Sequence, residues 1–190
     1  MTEPTRPLGA DLARIAVFAA LVIVLGTVVV PVPGGVPITA QTLGVMLAGL
    51  ILGARRAPLA ILVVLVLAAA GLPVLSGGRG GLGVFVAPSV GYMIGWVAGA
   101  IVIGLIAHHG RFTWWRAGIA ALLGGVVVVY AFGIPLQALI TGVPLGPTIL
   151  SSLAFLPGDL IKVVVAVLLT VALRRAYPRA FPAARTVHAG

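Results

Sequence analysis

The only lysine of the chain, Lys162, follows Asp159 by three residues inside a segment that is otherwise apolar. Positions i and i+3 share one face of a helix, so a carboxylate and an ammonium would stand side by side there. Such a pair sets a hydrogen-bond acceptor next to a donor. It matches a polar ligand head such as a ureido group, whose two N–H donors flank a carbonyl. The carboxylate would accept from N–H, and the ammonium would donate to the carbonyl or to a distal carboxylate. Charge within an apolar span is costly and as a rule faces an interior site. Two other uses fit the same residues. Asp159 can cap a helix start while neutralising Lys162. It can also carry a proton, although no further acid or histidine lies within the other apolar segments away from their ends.

Polar residues that would share a level with this pair open two other apolar segments. Thr39 and Gln41 lie in Val36-Pro37-Ile38-Thr39-Ala40-Gln41-Thr42-Leu43, and Tyr92 follows Ala87-Pro88-Ser89-Val90-Gly91. Taken singly, Tyr92 reads as an interfacial anchor and Gln41 as a bond to a neighbouring helix. Their convergence with Asp159 and Lys162 makes them binding candidates. The remaining acids, Glu3 and Asp11, belong to the N-terminal edge and read as solvated.

The elements that must position these residues follow from composition. Of 190 residues, 61% are hydrophobic and 8% charged, with a mean hydropathy of +1.25. A soluble domain carries about 25% charged residues, so no water-facing surface can be drawn here. Long uncharged blocks specify an all-α integral membrane protein, a single domain over 1–190 with six spans near 11–30, 38–52, 57–70, 89–107, 114–138 and 156–173. The second and third are shorter than the ~20 residues of a perpendicular span. The first reads as a retained span, since no small-x-small cleavage pattern follows it. Outer connections are expected over 32–37, 71–88 and 139–155, all rich in Pro and Gly.

Charge placement provides a topology. With both termini cytoplasmic, the inner segments hold Arg6, Arg14, Arg55, Arg56, Arg111, Arg116, Arg174, Arg175, Arg179 and Arg185, while the outer loops hold Arg79. That satisfies the positive-inside rule. His108-His109 and Trp114-Trp115 then fall at the inner interface, and the two histidines have no nearby carboxylate or Cys with which to hold a metal. The net charge of +9 is scattered rather than patched, which argues against nucleic-acid binding and for topology signals and anionic-lipid contacts. Absence of cysteine excludes disulfides and thiolate catalysis. The Gly-rich run Ser76-Gly77-Gly78-Arg79-Gly80-Gly81 lacks the Gly-Lys-Ser/Thr ending of a nucleotide-binding loop. Paired carboxylates or a Ser–His couple within the spans, as a membrane enzyme needs, are absent.

Several ordered blocks resemble the BioY family, the biotin-specific substrate-binding S components of energy-coupling-factor (ECF) transporters. They are 36–45, Ala48-Gly49-Leu50-Ile51-Leu52-Gly53-Ala54-Arg55-Arg56, Gly71-Leu72-Pro73-Val74, Gly91-Tyr92-Met93-Ile94-Gly95 and Phe155-Leu156-Pro157-Gly158-Asp159-Leu160-Ile161-Lys162. The resemblance covers about 16–173. Where the family often has Thr-Gly-Gly-Tyr the chain has Ser89-Val90-Gly91-Tyr92, and Arg79 interrupts a run usually made of small residues. The resemblance implies a compact six-helix bundle that binds biotin near its outer face. The ureido head would meet Asp159 and Lys162, with Tyr92 and Phe155 against the rings and Thr39, Gln41 and Arg79 nearby. It implies no cofactor, metal or enzymatic activity. It implies partners instead: a transmembrane coupling subunit and a pair of ATPase subunits, with Ala16 and Ala20 on the coupling subunit's docking surface. An S component for another vitamin would share the bundle but not the Asp159/Lys162 head site.

Overall fold

The computed structural model describes residues 8–30, 36–178 and 181. Its elements are α1 (Leu8–Leu25), β1 (Val29–Val30), β2 (Ile38–Thr39), α2 (Gln41–Leu52), α3 (Ala57–Ala69), α4 (Val90–Ala107), α5 (Trp114–Leu122), α6 (Val129–Thr141), α7 (Leu145–Ser152) and α8 (Leu156–Ala176). A π-helical turn, Leu123–Val128, fuses α5 and α6 into one 28-residue rod. A 3-10 turn, Leu153–Phe155, does the same for α7 and α8, giving a 32-residue rod. Together with α1 and α4 these are long and apolar enough to cross a membrane, and α2 and α3 are shorter apolar helices between them. At 1.5 Å per residue, α2 and α3 extend only about 18–20 Å. They are therefore packed into the bundle rather than spanning it alone, and much of α2 is buried. The outward faces stay apolar: Val66, Leu105 and Leu168 are each more than half exposed, as lipid-facing side chains must be.

Helix α4 is the axis of the bundle and packs on α2, α3, α5 and α6. Its residues Gly91 and Gly95, four apart, let α6 approach to backbone contact. A Cβ on Gly95 would come 2.8 Å from the Val129 Cα, so a larger residue would push the two helices apart.

Three expectations are corrected. The first helix stops at Leu25 rather than at residue 30, because Val28-Val29-Val30 is β-branched and extends. Val29 and Val30 pair antiparallel with Thr39 and Ile38. The bundle thus carries a small β-ribbon, Thr39 sits on a strand, and the second helix begins at Gln41. The stretch 139–155 is not an open connection. Gly142, at φ 69°, closes α6 in the left-handed conformation, and Pro144 then opens α7, with Gly146 and Pro147 in a first turn whose N–H groups need no helical partner. Asp11 is not a solvated acid. It pairs with Arg56 at 2.8 Å, and its side chain is three-quarters buried.

That ion pair also fixes which connections share an end. It joins the start of α1 to the α2–α3 turn. His108 lies 3.0 Å from the Leu50 carbonyl through Nε2, and Arg174 stacks on Phe112. The basic connections therefore gather at one end of the bundle. Arg6, Arg179, Arg185 and the loop 31–35 lie outside the described residues.

Candidate substrate site

At the opposite end a cleft opens between α2, α4, α6 and α8 under the β-ribbon and the 75–79 loop. About 590 Å³ of non-atom space lies within it, open solvent at the mouth included. Asp159, Lys162, Tyr92, Gln41, Thr39, Phe155 and Arg79 all line it. Residues from β2, α2, the 70–89 connection, α4 and α8 thus meet across more than 120 positions of sequence. Ala16 and Ala20 lie elsewhere, exposed on the outer face of α1.

Asp159 and Lys162 form an ion pair of 2.7 Å, with Asp159 only 4% exposed. A buried charge needs its remaining lone pairs satisfied, and two hydroxyls do this. Tyr130 Oη donates to Asp159 Oδ2 at 2.7 Å, and Thr42 Oγ1 lies 3.4 Å from Oδ1. The Lys162 ammonium donates to both Asp159 Oδ1 and Thr42 Oγ1, at 2.7 and 3.0 Å. No side-chain cap is made at the start of α8, where the chain is already helical through Phe155. The capping use of Asp159 therefore loses its basis, while the neutralisation of Lys162 is real.

Arg79 brings the second cation to the cleft. Its Nε and one terminal nitrogen bond Ser76 at 3.1 Å each, through the carbonyl and Oγ, and the other nitrogen bonds Ser89 Oγ at 3.3 Å. No acid faces it among the described residues. With two cations to one carboxylate, the cleft carries a net positive charge and suits an anionic ligand. The walls are aromatic: Tyr92 meets Tyr130 and Phe155 edge to face, with centroids 6.3 and 6.2 Å apart. The Tyr92 hydroxyl is engaged with Gln137 Oε1 at 2.8 Å and Ser152 Oγ at 3.1 Å, so its ring is the part free for a ligand. Gln41 is buried and donates from Nε2 to the Val74 carbonyl at 3.4 Å, tying α2 to the loop that carries Arg79. Thr39 Oγ1 accepts from the Gln41 backbone N–H at 3.3 Å.

Sequence reasoning missed Tyr130 and Thr42, the two hydroxyls that hold the pair, and Trp96 and Met93 in the wall. Thr42 sits one residue beyond Gln41 in a block already singled out, and its hydroxyl was the available signal. Tyr130 carried none, because its aim depends on the π-helical turn before it.

A family model described as the BioY family matches residues 2–179. A protein named "Biotin transporter BioY" from Rhizobium etli is 48% identical, over 88% of this chain and 95% of that protein. A second of that name, from Rhodobacter capsulatus, is 48% identical over 82% of this chain and 88% of its own. Among solved structures, the S-component for biotin from an ECF-type ABC transporter superposes with a TM-score of 0.84 at 33% identity, covering 92% of this chain and 95% of that one. The matched region takes in all six helical rods and every residue lining the cleft, and on these grounds the chain belongs to the BioY family.

Proposed function

We propose that the protein is the substrate-binding S component of an ECF transporter and that it captures biotin in the cleft. The observation that carries this reading is the pairing of a neutralised Asp159–Lys162 couple with an acid-free Arg79 in one cleft of a BioY chain. Biotin needs both parts, being a ureido ring system with a carboxylate tail. Asp159 accepts from a ureido N–H and Lys162 donates to the ureido carbonyl, while Arg79 receives the carboxylate. Tyr92 and Phe155 flank the fused rings. Thr39 and Gln41 hold the β-ribbon and the 74–79 loop as a cover over the ligand.

The basic end of the single membrane domain faces the cytoplasm and the cleft faces outward, in keeping with the arginine distribution. Energy comes from partners, a transmembrane coupling subunit and ATPase subunits. The exposed Ala16 and Ala20 on α1 give the coupling subunit a smooth surface to pack against. Delivery proceeds by reorientation of the whole bundle, whose apolar exterior drags few polar groups through lipid. Spin labels whose accessibility stayed fixed through turnover would refute that step.

Equilibrium binding of labelled biotin to detergent-purified protein tests the central reading, alongside Asp159→Asn, Lys162→Ala and a panel of other vitamins as competitors. Saturable binding that only biotin analogues displace, lost in both variants, is expected. Binding that survives both substitutions would remove the head-site assignment. A well-folded wild type that binds another vitamin instead would overturn the ligand.

A further inference from the structure

Four arginines at the basic end enter the proposed function only as markers of topology. Arg111, Arg116, Arg174 and Arg175 converge where the α4–α5 connection meets the last turn of α8. The Arg174 guanidinium lies between two rings, 4.5 Å from the Phe112 centroid and 5.0 Å from that of Phe181. Beside it a shallow pocket is lined by Phe112, Val171, Arg174 and Arg175. Arg116 donates to the Arg111 carbonyl at 3.2 Å and stands over the Trp115 ring.

Among the described residues no carboxylate balances these charges. Asp11 is taken by Arg56, Asp159 is about 20 Å away along α8 at 1.5 Å per residue, and Glu3 lies outside the described residues. Among the described residues none of the four makes an ion pair. Like charges gathered beside a low-dielectric wall repel one another unless an anion joins them. The depth of the pocket identifies that anion. Trp114 and Trp115, separated from Phe112 by Thr113 alone, are 70% and 51% exposed, and exposed indoles settle at the level of lipid headgroups. The pocket also has an apolar floor of Phe112 and Val171, which suits the first carbons below a headgroup.

We propose that this pocket binds the headgroup of an anionic phospholipid. Arg174 and Arg175 hold the phosphate through charge-assisted hydrogen bonds. Arg111 and Arg116 raise the local potential that draws a net-negative lipid in place of a zwitterionic one.

The tryptophans beside the pocket report the test directly. The full chain is reconstituted in phosphatidylcholine vesicles containing equal fractions of either bromine-labelled phosphatidylglycerol or bromine-labelled phosphatidylcholine, and tryptophan quenching is compared. Several-fold stronger quenching by the anionic lipid is expected, falling to parity in an Arg111→Gln/Arg175→Gln variant whose thermal unfolding matches wild type. Arg175→Lys, which keeps charge but loses the planar fork, should retain part of the preference. Equal quenching of wild type by the two lipids would overturn the proposal. So would a preference unchanged in the double variant, which would assign it to diffuse surface charge. Loss of the preference when inorganic phosphate replaces chloride at constant ionic strength would mark a site for free phosphate and sink the lipid reading.

Discussion

At the cleft end, one carboxylate and one ammonium are sunk 2.7 Å apart and enclosed by the hydroxyls of Tyr130 and Thr42. At the other end, Arg55, Arg111 and Arg175 lie at the surface, and the ion pair present there, Arg56–Asp11, has both side chains about a quarter exposed. The difference is one of solvent. Surface arginines stay hydrated or meet lipid phosphates, so their positions matter more than their partners. The buried pair is largely shielded from solvent, with side chains 14% and 5% exposed, and each member depends on the other and on its hydroxyls. Removing a charge should therefore cost far more at the cleft than at the basic end.

The largest expected effect is on the pair itself. Lys162→Met leaves Asp159 buried without its counter-charge and should lower stability by about 3–5 kcal/mol. The double variant Asp159→Asn/Lys162→Met should recover much of that in thermal unfolding while remaining unable to bind biotin. A double variant as unstable as the single one would show that the pair is not coupled. Next is Tyr130→Phe, which removes one neutral donor from a carboxylate. A hydrogen bond to a charged group is worth about 1.5–3 kcal/mol, so biotin affinity should fall about tenfold or more, read by titration. Unchanged affinity would make Tyr130 a wall residue and nothing more.

The basic end should respond more weakly. Asp11→Asn breaks a partly exposed ion pair and should cost up to about 1 kcal/mol, less at high salt. A loss as large as that of Lys162→Met would erase the contrast between the ends. The smallest effect concerns pH. Burial holds the pKa of His108, just beyond the end of α4, below its ordinary value, partly offset by its bond to the Leu50 carbonyl. The unfolded chain thus takes up this proton first. The stabilisation is complete above the ordinary histidine pKa of about 6.5 and is lost as pH falls through the lower folded value. His108→Asn should flatten that acid-side slope in thermal melts. A slope that persisted would assign it to other groups.

What the sequence disclosed follows the same division. Asp159 and Lys162 were legible because a charge in an apolar run has few reasons to exist, and Arg79 because it breaks a glycine run. Helix α4 and the α5–α6 rod were legible from hydropathy within a few residues and the short second and third segments remain short helices, whereas the last rod begins at Leu145, well before the expected 156. Three features were hidden. Pro144, Gly146 and Pro147 read as loop residues, yet proline and glycine are tolerated in the first turn of a helix and α7 starts there. Val28-Val29-Val30 extended an apolar run that the backbone ends at Leu25 in order to pair with Ile38 and Thr39. Tyr130 has no motif, and its role required knowing the phase of a helix that changes part-way along.

That phase change has a bearing on how the gene can vary. The π-helical turn at Leu123–Val128 houses one residue more than a regular helix would need over the same rise. Deleting any single codon within it would leave composition, hydropathy profile and every recognisable block intact. It would also rotate all that follows by about 100°, one residue's share of a helical turn, and swing Tyr130 off Asp159. Substitutions at the exposed Leu123 and Val127 should thus be common among functioning relatives, whereas one-residue gaps should be scarce, a constraint on length separate from the close packing that fixes Gly124 and Gly125.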